Sequence, residues 1–223
     1  MEVTLLTKEK VLKRIREVGV IPAIHAATAE EAMFAAEHVL AGGISIVEIA
    51  STIPASEQLV RDLTRRFPTL IVGSDIVDGI DDARRQLEAG AAFLTSPGLD
   101  TELVRYCAEH GAAVLPGALT PTEVMLAHKA GADLVKVFPC AQVGGEHYIR
   151  VLKGRLPHIP LVAAGGVTQT AAPRFITAGA SALGVGGELI PPQALRAKDG
   201  AWIRELASRF VNFVQQARAE MNA

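Results

Sequence analysis

A glycine recurs along this chain at the same point of the same pattern. It follows a stretch with helical periodicity and precedes a short apolar run. Gly43 leads into Ile44–Ile49, Gly90 into Ala92–Thr95, Gly111 into Ala113–Leu115, Gly131 into Leu134–Phe138 and Gly179 into Ala182–Val185. A glycine so placed predicts a left-handed residue that ends a helix and turns the chain into a strand. Proline marks two more junctions, Pro68 before Leu70–Val72 and Pro157 before Leu161–Ala163. The predicted strands lie near residues 20–25, 44–50, 70–76, 92–96, 113–117, 134–138, 161–164 and 182–186. Helical patterns separate them, among them Ala29–Leu40, Ala55–Phe67, Asp81–Ala89 and Thr101–His110. A beat of roughly 20–25 residues is short, but it suffices for one strand and one helix.

The apolar runs are mostly continuous rather than alternating, as in strands covered on both faces. Strict strand–helix alternation predicts a parallel sheet, and eight such units predict an α/β chain closed into a (β/α)8 TIM barrel. An open doubly wound sheet would carry a Gly-x-Gly-x-x-Gly loop after an early strand, and none stands there. An extra N-terminal helix, Lys8 to Val18, is expected to plug one end of the barrel, and a long helix from Ala201 to Glu220 to finish it. The chain has 223 residues, 49% of them hydrophobic, and no linker-like tract, so residues 1–223 read as one domain.

Several function classes fall away. A formal charge of −2 and a pI near 6.3 leave no basic footprint for nucleic acid. No apolar stretch approaches the roughly 18 residues that a membrane span needs. The start, Met1-Glu2-Val3-Thr4-Leu5-Leu6-Thr7-Lys8, has acidic and polar residues where a signal peptide needs an apolar core. Two cysteines, Cys107 and Cys140, are too few for a disulfide framework or a zinc site. The expectation is a cytoplasmic enzyme or binding protein that acts on a small molecule.

Lys136 is the anomaly within this pattern. It sits in the apolar run Leu134–Phe138, whereas the other six lysines lie in helix-face or loop segments. A buried ammonium tends to lose its proton, and the neutral amine that results attacks ketones to give Schiff bases. A lysine that snorkels from a strand end or pairs with an internal carboxylate would leave the same trace. A second anomaly is Glu48. Side chains alternate along a strand, so Ile44, Ile46 and Glu48 share one face, as do Leu134, Lys136 and Phe138. Chemistry in such barrels gathers at the C-terminal ends of the strands. Two opposite charges from buried strands seldom add net stability over apolar residues, which favours a functional site over a plug.

The other strand ends supply candidate substrate-binding residues: His25, Thr52, Ser74, Pro97, Gly165, Gly166, Gly186 and Gly187. Glycines after the last two strands suit an anion held by backbone N–H groups.

These residues resemble a family. Val135-Lys136-Val137-Phe138-Pro139 matches the Lys-x-Phe-Pro signature of the 2-keto-3-deoxy-6-phosphogluconate (KDPG)/4-hydroxy-2-oxoglutarate (KHG) aldolases. Val47-Glu48-Ile49 matches the strand with their acid–base glutamate, and Ser96-Pro97-Gly98, Pro116-Gly117, Gly165-Gly166 and Gly184-Val185-Gly186 match their turns and phosphate-site elements. The likeness runs from Val20 to the last helix. It implies a class I aldolase with Lys136 as the Schiff-base residue and Glu48 as the proton shuttle. The same likeness implies no cofactor or metal, a small-molecule 2-keto acid as partner, and a homotrimer. The chain departs from the pattern at several points. Gly73-Ser74-Asp75-Ile76-Val77 replaces Gly-Ala-Gly-Thr-Val, Ala164 replaces a threonine, Gly187 followed by Glu188 replaces a serine, and His25 stands for an arginine. The groups that grip carboxylate and phosphate are thinned, which implies an altered or unphosphorylated substrate. An isomerase-like barrel acting on phosphosugars without imine chemistry, and a ligand-binding barrel without turnover, remain as alternatives.

Overall fold

The computed structural model describes residues 6–221, so Met1–Leu5, which argued against a signal peptide, lie outside the described residues. Nine parallel strands form the sheet: β1 (Val20–Ile24), β2 (Ile46–Ala50), β3 (Ile71–Asp75), β4 (Phe93–Thr95), β5 (Ala113–Leu115), β6 (Gly117–Ala118), β7 (Val135–Val137), β8 (Leu161–Ala164) and β9 (Ala182–Val185). They pair in the order β5-β4-β3-β2-β1-β9-β8-β7-β6. The expected eight strands become nine because the fifth breaks at Pro116, a residue with no N–H for the ladder. β5 pairs only with β4 and β6 only with β7, yet both belong to one continuous stretch. The Pro116 carbonyl also accepts from the Lys136 N–H at 2.9 Å, so the barrel closes there.

The recurrent glycines do what their position predicts. Gly43, Gly90, Gly111, Gly131 and Gly179 all have left-handed φ, between 67° and 110°. A side chain at any of them would be strained. Among the described residues, ten α-helices surround the strands: α1 (Lys8–Val18), α2 (Ala29–Ala41), α3 (Ser56–Arg66), α4 (Gly79–Glu88), α5 (Thr101–Glu109), α6 (Pro121–Ala130), α7 (Gly145–Arg155), α8 (Ala172–Thr177), α9 (Pro192–Arg196) and α10 (Gly200–Met221). The helix α1 starts at a Thr7 cap that accepts from the Lys10 N–H, and it buries Val11 and Ile15 completely. It touches β1, β2, β5 and β9, so it plugs the N-terminal end of the barrel. At the other seam, α10 packs on α2 and α8 and joins the last units to the first.

Register sets the site. Glu48 lies opposite Ala23 on β1 and Gly73 on β3, while Asp75 lies opposite Ala50. The Phe93 ring fills the place of a side chain at Gly73, where a Cβ would clash with the ring edge. With Phe93 packed against Gly73 from within, Asp75 and Thr95, two residues further along their strands, face the interior above it.

Candidate active site

At the C-terminal end of the barrel, a cavity of about 380 Å³ opens between the strand ends. Lys136 rises from its floor. Its Nζ donates to Asp75 Oδ1 at 2.8 Å and to Thr95 Oγ1 at 3.2 Å. Thr95 Oγ1 lies 2.6 Å from Asp75 Oδ1 and 2.9 Å from Glu48 Oε2. All four residues are buried, each no more than 5% exposed. The ring of Phe138 forms a wall, its centroid 5.9 Å from the Lys136 nitrogen.

Thr95 links the lysine to both carboxyl groups. Its hydroxyl has one proton to give and two lone pairs to accept with. Asp75 and Glu48 both lie within reach of that proton and compete for it, while the oxygen accepts an N–H from Lys136. Burial, joined by the negative charge of Asp75, pushes Glu48 up to about 7 against the pull of Lys136 and Thr95. Asp75 is held below the usual carboxylate range: burial opposes this, but the charge and hydrogen bond of Lys136 and the hydroxyl of Thr95 outweigh it. Lys136 is raised as well, since the charges of Glu48 and Asp75 and the Asp75 hydrogen bond overcome the cost of burial. This corrects the expectation drawn from burial alone: Lys136 rests as an ammonium, because a carboxylate sits against it.

The folded chain holds the Glu48 proton from its ordinary 4.5 up to about 7. The stabilisation is therefore complete below the ordinary value and is lost as pH rises through about 7, a change on the order of 3 kcal/mol. Glu48→Gln keeps a donor for Thr95 and cannot ionise. It is expected to exceed the wild type in urea-unfolding stability at about pH 8 by far more than at about pH 5. A constant difference between the two chains across that range would mean that Glu48 is not held protonated.

Of the ten residues expected at the site, eight line the cavity: His25, Glu48, Pro97, Lys136, Gly165, Gly166, Gly186 and Gly187. Thr52 and Ser74 do not. Thr52 is exposed in the turn after β2. Ser74 has the opposite parity to Asp75, so its hydroxyl is turned out of the barrel and donates to the Ile49 carbonyl at 3.4 Å. Asp75 takes the place expected for Ser74, and Thr95 was not expected at all. Among the departures from the family pattern, Ile76, Ala164 and Glu188 also line the cavity. Ile76 holds a left-handed φ of 59°, costly for a β-branched residue, and its carbonyl is tied down by Ser51 Oγ at 2.8 Å. Cys140, beyond the lysine strand, is fully buried, and burial pushes its thiol up to about 12, so it packs rather than reacts.

An amine beside a carboxyl group held near 7, inside a buried pocket that opens to solvent, is equipped for imine formation and proton transfer at carbon. Comparison with known proteins shows the family. A sequence model described as "KDPG and KHG aldolase" matches residues 11–206. The KHG/KDPG aldolase of Escherichia coli (strain K12) is 31% identical over 193 residues, 86% of this chain and 90% of that one. Among solved structures, the 2-keto-3-deoxy-6-phosphogluconate aldolase of Zymomonas mobilis ZM4 with 3-phosphoglycerate superposes with a TM-score of 0.84 at 26% identity, over 93% of this chain and 97% of the other. A KDPG aldolase from Legionella pneumophila, with pyruvate captured at low pH as a covalent carbinolamine intermediate, superposes at 0.82 and 25% identity, over 88% and 96%. The chain belongs to the KDPG and KHG aldolase family and is a carbon–carbon lyase.

Proposed function

We propose that this chain is a class I aldolase that reversibly cleaves a 2-keto-4-hydroxy acid to pyruvate and an aldehyde through an imine on Lys136. The observation that carries this reading is the hydrogen-bonded set Lys136–Thr95–Glu48 at the cavity floor, with Glu48 raised to about 7. The Lys136 amine adds to the C2 ketone and the carbonyl oxygen takes a proton. The carbinolamine then loses water to leave an iminium ion. The iminium draws in the electron pair of the C3–C4 bond as the C4 hydroxyl gives up its proton, and the aldehyde departs. Glu48 moves these protons from the ring of strand ends, and the resulting enamine takes a proton at C3 before hydrolysis frees pyruvate. The test is a panel of 2-keto-4-hydroxy acids with pyruvate release as the readout. Turnover with members of the panel is expected, and release from none of them would overturn the reading.

The substrate end distant from Lys136 differs from the family pattern. Gly165, Gly166, Gly186 and Gly187 bring backbone to the cavity, while Ala164 and Gly187 carry no hydroxyl and Glu188 adds a carboxylate. Each lost neutral hydrogen bond is worth about 1 kcal/mol, so two losses weaken anion binding by about thirtyfold. The ratio of kcat/KM for 2-keto-3-deoxy-6-phosphogluconate over its unphosphorylated counterpart is expected to fall well below that of relatives with both hydroxyls. A strong preference for the phosphorylated compound would show that backbone amides suffice.

We also propose a single-domain, cytoplasmic homotrimer. Met125 and Leu126 on α6 and Val151 on α7 leave apolar side chains about half exposed on the outer helices, as a subunit interface would require. Light scattering at a mass of three chains is the expected result.

A further inference from the structure

Imine formation needs the proton of the Lys136 ammonium removed, and several strand ends face that proton. Asp75 from β3 and Thr95 from β4 touch the nitrogen, Glu48 from β2 stands behind Thr95, and Glu188, after β9, lines the same cavity. Asp75 differs from the rest in also reaching a group that is open to solvent. Its Oδ1 accepts from Lys136 at 2.8 Å, and its Oδ2 lies 3.5 Å from Nε2 of His25 at the end of β1. Asp75 is buried, whereas the His25 side chain is 50% accessible. One carboxylate thus bridges a buried amine and an imidazole open to solvent. A protonated imidazole is a cation, and a cation beside Oδ2 draws the charge of Asp75 away from Lys136.

We propose that Asp75 governs the proton on Lys136 and that His25 acts on Lys136 only through Asp75, so the site's readiness to form an imine follows the charge on His25. Asp75 touches the reacting nitrogen directly. His25 is a positioning residue, acting at one remove. When His25 is neutral, Asp75 is committed to the ammonium and holds its proton. When His25 is charged, Asp75 is shared between two cations and the ammonium is released more readily. Glu48 gains a proton as pH falls through about 7 and loosens the ammonium too, but it does so through Thr95 and without His25. Removing His25 therefore separates the two effects. The purpose assigned to this coupling rests on the imine reading, but the coupling itself does not.

The test is the rate at which cyanate carbamylates Lys136 in the intact protein, followed by peptide mass spectrometry across pH. Cyanate reacts with the neutral amine and needs no aldolase chemistry. Asp75→Asn is expected to react about 10- to 1000-fold faster than the wild type, the shift an adjacent opposite charge produces. Asp75→Ser gives the same reading should the asparagine variant not fold, and Asp75→Glu, which keeps the charge, is expected to stay slow. The wild type should outpace His25→Gln toward acid pH, with the two converging as pH rises. In the Asp75→Asn background the His25 substitution should change nothing. An Asp75→Asn rate equal to the wild type, or a His25 effect that survives the loss of Asp75, would overturn the proposal. Failure of pyruvate to form an imine, with the cyanate pattern intact, would count against the aldolase reading alone.

Discussion

Replacing Lys136 by alanine or by arginine is expected to abolish both pyruvate trapping and keto-acid cleavage. The two substitutions fail for different reasons. Alanine removes the nucleophile. Arginine keeps a cation near Asp75, but a guanidinium stays protonated and forms no imine. Because Lys136 is ion-paired to the buried Asp75 at 2.8 Å, the alanine variant also leaves an uncompensated carboxylate, a change that typically costs about 3–5 kcal/mol. Loss of activity must therefore be separated from loss of fold. Lys136→Ala combined with Asp75→Asn removes both charges and is expected to regain stability in urea unfolding while staying inactive. Turnover at the wild-type rate in any of these variants would remove the imine from the mechanism.

Glu48→Gln is expected to form the imine slowly and to cleave roughly 10²–10⁴-fold more slowly than the wild type, the usual weight of one general acid–base group. Glutamine preserves shape and a donor for Thr95, so the deficit isolates proton transfer from packing. A carboxyl group at about 7 serves as acid below that pH and as base above it. The wild-type pH–rate profile should accordingly bend near 7, and the part of that bend due to Glu48 should be missing in the glutamine variant. Cleavage at the normal rate would move the proton shuttle elsewhere, to Asp75 first.

Much of this site was legible before any coordinates. The glycine beat encodes the barrel because a left-handed residue is needed wherever a helix turns into a strand, and glycine meets that need at little cost. Strand parity alone puts Glu48 and Lys136 on inward faces. Parity fails on β3, where Gly73 has no side chain to mark a face, and there Ser74 was expected in the cavity in place of Asp75. The deciding fact is long-range: the Phe93 ring from the next strand occupies the space at Gly73. Thr95 was hidden for a related reason. In the run Phe93-Leu94-Thr95 it reads as an ordinary strand residue, and only the register of β2, β3, β4 and β7 around the barrel makes it the link between lysine and glutamate. The protonation state of Lys136 was misread because a sequence reveals burial but not partners, and here the partners outweigh the burial.

Lys136 is the residue on which covalent binding of the keto acid depends, and one measurement tests this directly. The protein is incubated with pyruvate, reduced with borohydride, digested and mapped by mass spectrometry. The expected result is one modified peptide containing Lys136, heavier by pyruvic acid less one oxygen atom, with none of the other six lysines labelled and with cleavage activity lost in proportion. An unlabelled Lys136 under conditions where the protein still releases pyruvate from a keto acid would contradict the mechanism, whatever the fold and the family suggest.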